Sequence, residues 1–132
     1  MANIVPKSSE PSIRVLMMPR DTNAHGTIFG GVILSYIDQA GAIEARRQGA
    51  VFVVTVSMDK IVFHEPVHVG DLVSFYTETL RIGKSSITIR VRVDAVRSGS
   101  LEKVTVTDAQ VVYVNVGEDR RPKPLVEDRV IG

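Results

Sequence analysis

The chain has 132 residues and nearly balanced charge, with 16 lysines and arginines against 15 aspartates and glutamates. This length suits one domain with its own core, and the charge balance argues against a nucleic-acid binder that relies on bulk electrostatics. Because cysteine is absent, disulfides, thiol nucleophiles and cysteine-ligated metals are excluded. The chain lacks both the apolar core of a signal peptide and the run of roughly 20 apolar residues that a membrane helix needs. We therefore expect a soluble, cytoplasmic protein without membrane insertion.

The chain opens with an arm, a strand and a loop. Residues 1–12 are polar and contain proline, which predicts a flexible arm. The segment "IRVLMM" (13–18) predicts a short strand that stops before Pro19. The segment "RDTNAHGT" (20–27) is rich in residues that favour loops, so a polar loop precedes the first long apolar segment.

One long helix is predicted next. Gly30 and Gly31 begin an apolar segment that extends to about Gln48, and Gly49 follows as a C-cap. Through residue 43 this segment carries one charged side chain, Asp38. A helix that is apolar nearly all round is buried nearly all round. Because a single sheet covers one face only, we expect a homodimer partner to cover the other.

Strands fill the rest of the chain. The predicted strands are 51–63, 72–82, 86–96 and 101–116. The first alternates Val54, Val56 and Met58 with polar residues, and the turn segments "GKS" and "SGS" separate the later ones. The charged segment 117–132 predicts a peripheral tail. One helix against an antiparallel sheet is an α+β architecture, here as a single domain over 1–132.

Asp38 is the unusual feature of the helix. On a helical wheel of roughly 100° per residue, its neighbours are small or apolar, namely Leu34, Gly41, Ala42 and Ala45. A carboxylate in such surroundings is costly unless it is paired, hydrogen-bonded or protonated. It therefore either caps a loop or pairs with an arginine, or it belongs to a functional site.

The loop before the helix suits a functional site. A helix N-terminus presents unpaired N–H groups with positive dipole character, and glycines there allow another molecule to approach the backbone. Such donors stabilise a developing oxyanion, while Asn23 supplies a polar orienting group. The alternative for Gly30 and Gly31 is simple packing of the helix on the sheet.

Several spaced motifs then carry a family resemblance. "DTNAHGTIFGG" followed by "YIDQAG", "VTVSMDKIVFHEPVHVGDLV", "IGKSSITIRVRV" and "TDAQVVYVNV" appear in order. Together they resemble the hotdog-fold acyl-CoA thioesterases, both the bacterial acyl-CoA hydrolases and the cytosolic brain-type enzyme. The resemblance covers most of residues 13–116.

The resemblance implies a long helix wrapped by a curved antiparallel sheet, in dimers that often assemble into hexamers. It implies hydrolysis of acyl-CoA to acid and CoA without a metal or cofactor, CoA being part of the substrate. Asp38 matches the catalytic acid, which acts either as general base on water or as a nucleophile that forms an anhydride. Asn23 matches the asparagine supplied by the opposite subunit, and Gly30 or Gly31 the amide that polarises the thioester carbonyl. Substrate contacts are expected at His25, Phe29 and the turn Gly83, Lys84, Ser85 and Ser86.

Other interpretations remain open at this point. For His25 an exposed loop histidine is favoured over a substrate contact, whereas Arg90 and Arg92 are equally compatible with a basic rim for CoA phosphates and with a solvated strand face. His64 and His68 lack the helical spacing of a zinc site, and no G-x-S-x-G segment indicates a serine triad. A non-catalytic acyl-CoA or acyl-carrier binding module has the same expected fold. A hydratase ranks last because no histidine replaces Asn23.

Overall fold

The computed structural model describes residues 3–126. The elements are β1 (Ile13–Leu16), a 3-10 turn (Pro19–Asp21), α1 (Gly30–Arg47), β2 (Phe52–Phe63), β3 (Leu72–Ile82), β4 (Ser86–Val96) and β5 (Lys103–Val116). The predicted α+β order of strand, loop, helix and four strands is confirmed. The first strand is shorter than expected, because its predicted last residues lead into the 3-10 turn at Pro19. Helix α1 is not long and apolar enough to cross a membrane, and it is the only α-helix in the described range.

The five strands form one antiparallel sheet in the order β1-β3-β4-β5-β2. Helix α1 packs on one face of it, mainly against β3 and β4. The predicted alternation of β4 is correct, since its inward residues are fully buried. They are Ile87, Ile89, Val91, Val93 and Ala95. These side chains and the buried face of α1 form the core.

Helix α1 ends as predicted and keeps one face exposed. Gly49 has a φ of 108°, a left-handed conformation that terminates a helix most easily at glycine. The Ala50 N–H then donates to the Ala45 carbonyl at 3.0 Å. One stripe of the helix stays exposed, comprising Gly31, Ser35, Gln39, Ile43 and Arg46. The single chain therefore covers one face of the helix, as expected of one sheet, and the uncovered stripe is mostly polar or small.

The largest uncovered apolar surface lies on β2 instead. β2 is an edge strand, and Phe52 and Val56 are 56% and 59% exposed. Register shifts interrupt its pairing with β5 between Thr55 and Ser57 and again near Lys60. The first shift breaks the predicted alternation, so that Val54 and Val56 face solvent while Met58 is half-buried. A long apolar edge strand invites pairing with another chain.

Both ends of the described chain pack at the end of α1. The Val5 N–H donates to Gln48 Oε1 at 2.8 Å, and Gln48 Nε2 donates back to the Val5 carbonyl at 2.9 Å. Val5 is 7% exposed, so this part of the expected flexible arm is anchored. In the predicted tail, Leu125 is buried and the Val126 N–H donates to the Gly49 carbonyl. The remaining tail residues 127–132 lie outside the described residues.

We predict that Ile37→Ala destabilises the fold by about 2–5 kcal/mol, because it leaves a cavity under the middle of α1. Ile37 is fully buried against the sheet. Urea unfolding followed by circular dichroism measures the change. Leu101→Ala is the matched control, since Leu101 is 79% exposed, and a comparable loss in that variant would contradict the burial assignment.

Candidate active site

Asp38 lies on α1 where the helix faces β2. Its Oδ1 accepts a hydrogen bond of 2.7 Å from the hydroxyl of Thr55. The residue is partly exposed in the single chain. None of the ion pairs found within residues 3–126 includes Asp38. The arginine-pairing alternative therefore has no support in the described part of the chain.

Tyr113 of β5 lies beneath the same helical turn. The side chain is fully buried, and its hydroxyl donates to the backbone carbonyl of Asp38 at 2.6 Å. Burial raises the pKa of Tyr113 well above its ordinary value of 10.0, and the negative charge of Asp38 adds to that effect. A backbone hydrogen bond from Ala42 opposes the rise in pKa only in part. The phenol is therefore neutral throughout the physiological range.

Gly30 and Gly31 form the first turn of α1, with Phe29 as N-cap. Neither glycine N–H has a hydrogen-bond acceptor among the described residues, as expected for the first amides of a helix. A Cβ added at Gly31 would meet no atom within 4 Å, whereas one at Gly30 would lie 3.6 Å from the Phe63 ring. Packing within the chain thus does not require glycine at position 31.

An open cavity of about 330 Å³ lies beside this helix N-terminus. Gly30 contributes to its wall, and Ile28, Ile33 and Phe63 give that wall an apolar surface. His64 and Glu65 are polar residues of the lining. The cavity therefore combines an apolar wall with the free N–H groups of a helix, which suits a ligand with a carbonyl and an apolar chain.

Asn23 organises the loop that leads to the glycines. Its Oδ1 accepts from the backbone N–H groups of His25 and Thr27 at 2.8 and 3.1 Å, and its Nδ2 donates to Thr27 Oγ1 at 2.9 Å. The loop is fixed in turn to the connection before β3, because the Ile28 N–H donates to the Val67 carbonyl. His25 and Phe29 are exposed on this loop. Asn23, His25 and Phe29 thus share one loop with the helix N-terminus.

The connection before β3 is itself fixed by a buried ion pair. Asp71 is 1% exposed, and its Oδ2 accepts from Arg97 at 2.6 Å and from the His68 N–H at 2.9 Å. Arg97 also donates to the Pro66 carbonyl, in the cavity wall. Removing one partner of such a pair leaves a costly buried charge, so Asp71 and Arg97 hold the wall of the cavity in place.

The Gly83–Ser86 turn joins β3 to β4. The Gly83 N–H donates to the Ser86 carbonyl, and the Asn115 N–H donates to the Ser85 carbonyl, both at 2.8 Å. Lys84 is exposed at its tip. The turn adjoins the row of paired residues Ile87, Tyr113 and Thr55, so it lies at the same end of the sheet as Asp38.

The expected site residues therefore fall into two groups within one chain. Asp38 and the Gly83–Ser86 turn form one group, and the Asn23 loop with Gly30 and Gly31 forms the other. Asp38 follows Gly30 by more than two helical turns, which is about 12 Å along the axis at about 1.5 Å per residue. The structure does not bring Asp38 together with Asn23 or the glycine amides within one chain.

The sequence-based prediction missed two residues at this site, Thr55 and Tyr113. Thr55 occurs as a polar member of the alternating segment that became β2, and only the folded structure shows that its hydroxyl reaches Asp38 on α1. Tyr113 is one apolar residue among several in β5. The described residues 3–126 hold no group of three or more metal-ligating side chains close enough to bind an ion.

Comparison with known proteins decides the family. The profile of the thioesterase superfamily matches residues 25–101 of the chain.

The chain belongs to the thioesterase superfamily.

Relatives and solved structures agree with this membership. An acyl-CoA thioester hydrolase of Zymomonas mobilis is 39% identical over 127 residues, covering 94% of this chain and 85% of that protein. A hexameric hotdog-fold thioesterase of Campylobacter jejuni has 47% identity and a TM-score of 0.85, with 90% and 92% of the two chains covered. A hexameric broad-specificity acyl-coenzyme A thioesterase, crystallised with one aspartate replaced by alanine, has 38% identity and a TM-score of 0.86, with 92% and 89% covered. The hotdog fold and the thioester hydrolase class expected from the sequence are confirmed.

We predict that the stability of this thioesterase falls with pH above about 10 partly through Tyr113. Its pKa is raised in the folded chain, so the folded state keeps a proton that the unfolded state releases. Below the ordinary pKa of tyrosine, Tyr113 is protonated in both the folded and the unfolded state, and its contribution to the free energy of unfolding does not change with pH. Above it, stability declines by up to about 1.4 kcal/mol per pH unit. Urea unfolding of the native chain and of Tyr113→Phe between pH 8 and pH 11 measures the difference.

Tyr76→Phe is the control for this measurement, because Tyr76 lies on β3 with its ring against Arg92. If the free energy of unfolding changed with pH in the same way for the native chain and for Tyr113→Phe, the raised pKa of Tyr113 would be contradicted.

Proposed function

We propose that this thioesterase hydrolyses acyl-CoA to a free carboxylic acid and CoA at sites that two subunits share. Relatives named as acyl-CoA thioester hydrolases support the substrate class. The cavity beside the helix N-terminus supports it as well, since it offers amide donors next to an apolar wall. No metal takes part in the proposed reaction.

The proposal of a shared site rests on the distance between the two residue groups. A general base must reach the reacting water directly, or through one further water, while the oxyanion donors hold the carbonyl oxygen. In one chain about 12 Å of helix lies between Asp38 and the Gly30 amide. A thioester bound at one group is therefore beyond the reach of the other group of the same chain.

Strand β2 offers the means of joining the two groups. Its edge is unpaired and apolar, and two copies of an edge strand pair most simply about a two-fold axis. If that axis crosses the middle of β2, the Thr55 end of one strand lies beside the Phe63 end of the other. Asp38 adjoins Thr55 and Gly30 adjoins Phe63. The pairing would thus bring Asp38 near the glycine amides of the partner subunit, twice in each dimer.

The reaction then assigns a role to each group. The Gly30 and Gly31 amides donate to the thioester oxygen and stabilise the tetrahedral oxyanion. Asp38 accepts a proton from water as the water oxygen bonds to the carbonyl carbon. Collapse of the intermediate breaks the carbon–sulfur bond and releases CoA as its thiol after it takes up that proton. Thr55 fixes the Asp38 carboxylate, and Asn23 orients the loop of the other half.

Further contacts are proposed for the remaining residues. His25 and Phe29 are exposed beside the helix N-terminus and would contact the acyl-pantetheine portion. The Gly83–Ser86 turn presents Lys84 for the nucleotide phosphates. Assembly into a trimer of dimers is proposed from the structural relatives described as hexameric.

We predict that Asp38→Asn and Asp38→Ala each lower kcat by at least about 100-fold, because both remove the base that accepts the proton from water. CoA release, followed with a thiol reagent over acyl-CoA substrates of several chain lengths, measures the effect. Asp119→Asn is the matched control, since Asp119 is exposed on the turn that follows β5.

Full turnover by both Asp38 variants would refute the role of Asp38. Tight binding of acyl-CoA without turnover by the native chain would instead favour a binding module.

We also predict that mixed dimers of two inactive chains regain activity. One chain carries Asp38→Asn and the other carries Asn23→Ala, so a mixed dimer has one damaged site and one intact site. After purification on both tags only mixed dimers remain, so about half of native activity returns, because each mixed dimer has one working site of two. Co-expression with two different affinity tags, followed by sequential purification and the CoA-release assay, provides the measurement.

Each variant expressed alone serves as the control and should remain inactive. Mixed dimers without activity would indicate that each site lies within one chain.

A further inference from the structure

We propose that Tyr113 and Gly41 are positioning residues that hold Asp38 in place for the reaction. This inference rests on the proposed function, in which Asp38 is the base. Neither residue is assigned a chemical step. Tyr113 touches the backbone of Asp38, and Gly41 makes room for that contact.

The first observation is that Asp38 is held at two points by one row of the sheet. Thr55 of β2 and Tyr113 of β5 are paired residues on adjacent strands. The Thr55 hydroxyl donates to the Asp38 carboxylate at 2.7 Å, and the Tyr113 hydroxyl donates to the Asp38 backbone carbonyl at 2.6 Å. One contact fixes the side chain and the other fixes the helical turn that carries it. Asp38 therefore has little freedom to translate or rotate relative to the sheet.

The second observation concerns the helix backbone at this turn. The carbonyl of residue 38 is the regular acceptor for the N–H of residue 42 in an α-helix. The Tyr113 hydroxyl donates to that same carbonyl. The carbonyl therefore faces a donor from the sheet in addition to its place in the helix. This contact ties the helix to the sheet at the turn that carries Asp38.

The third observation explains the glycine in the middle of the helix. A Cβ added at Gly41 would lie 2.8 Å from Cζ and Cε2 of Tyr113, and nearer still to the hydroxyl oxygen. Glycine is the least favourable residue inside a helix apart from proline. Its presence here is explained by the close approach of the ring. Any larger residue would push Tyr113 away from Asp38.

The test is the kinetics of Tyr113→Phe, which keeps the ring and removes the hydroxyl. We expect kcat to fall between about tenfold and 100-fold, since small misplacement of a catalytic group has effects of this size. KM should stay within about twofold, because Tyr113 is buried and does not line the cavity. Tyr76→Phe, which removes a hydroxyl from β3 instead, should leave both constants unchanged.

Gly41→Ala provides a second variant. Its added methyl group displaces the Tyr113 ring, so we expect the same selective fall in kcat. A purely structural role would lower the amount of folded protein without changing kcat per folded site. Circular dichroism and active-site titration separate these effects. Unchanged kcat in both variants, or failure of both to fold, would overturn the proposal.

Combination with Asp38→Asn separates this inference from the proposed function. If Tyr113 acts through Asp38, Tyr113→Phe should cause no further loss in the Asp38→Asn background. A further loss of the same size in that background would overturn the positioning role while leaving Asp38 as the base. An active Asp38→Asn chain would instead refute the proposed function itself.

Discussion

A rigid helix sets the distance on which the site depends. Gly30 and Asp38 belong to the same continuous α-helix, so about 12 Å along its axis separates amide donors from carboxylate. A helix cannot shorten to bring them together, and the sheet beneath it fixes each end separately. Phe63 lies against the glycine end, and Thr55 binds the Asp38 end. The proposed chemistry, which uses both groups, therefore calls on two chains.

The same constraint explains how the sheet is used. β2 is both the edge of the sheet and the strand that contacts each half of the site. The Thr55 hydroxyl donates to Asp38, and the next residue, Val56, is 59% exposed. The strand thus offers a hydrogen-bond donor to Asp38 and an exposed apolar side chain within two consecutive residues. The proposed association and the proposed shared site both depend on this segment.

Much of this organisation was predictable from the sequence. The helix follows from an apolar segment between glycines, and β4 follows from strict alternation, because both patterns are local. Asp38 stood out because a charge among small apolar residues is costly. The contacts of Asp38 were not predictable, since Thr55 and Tyr113 lie 17 and 75 residues away along the chain, and Tyr113 fits only because Gly41 has no side chain. Such contacts depend on how separate strands align, which no local pattern records.

The irregular backbone of β2 also affects how this chain avoids aggregation. An edge strand of regular geometry would allow copies to add without limit. Lys60 has a φ of 53° beside the second register shift, and such a bulge bends the strand and ends regular pairing. Only short stretches of the edge remain straight, and charged Asp59 and Lys60 lie between them. The edge therefore favours a closed pair of chains over an open-ended fibre.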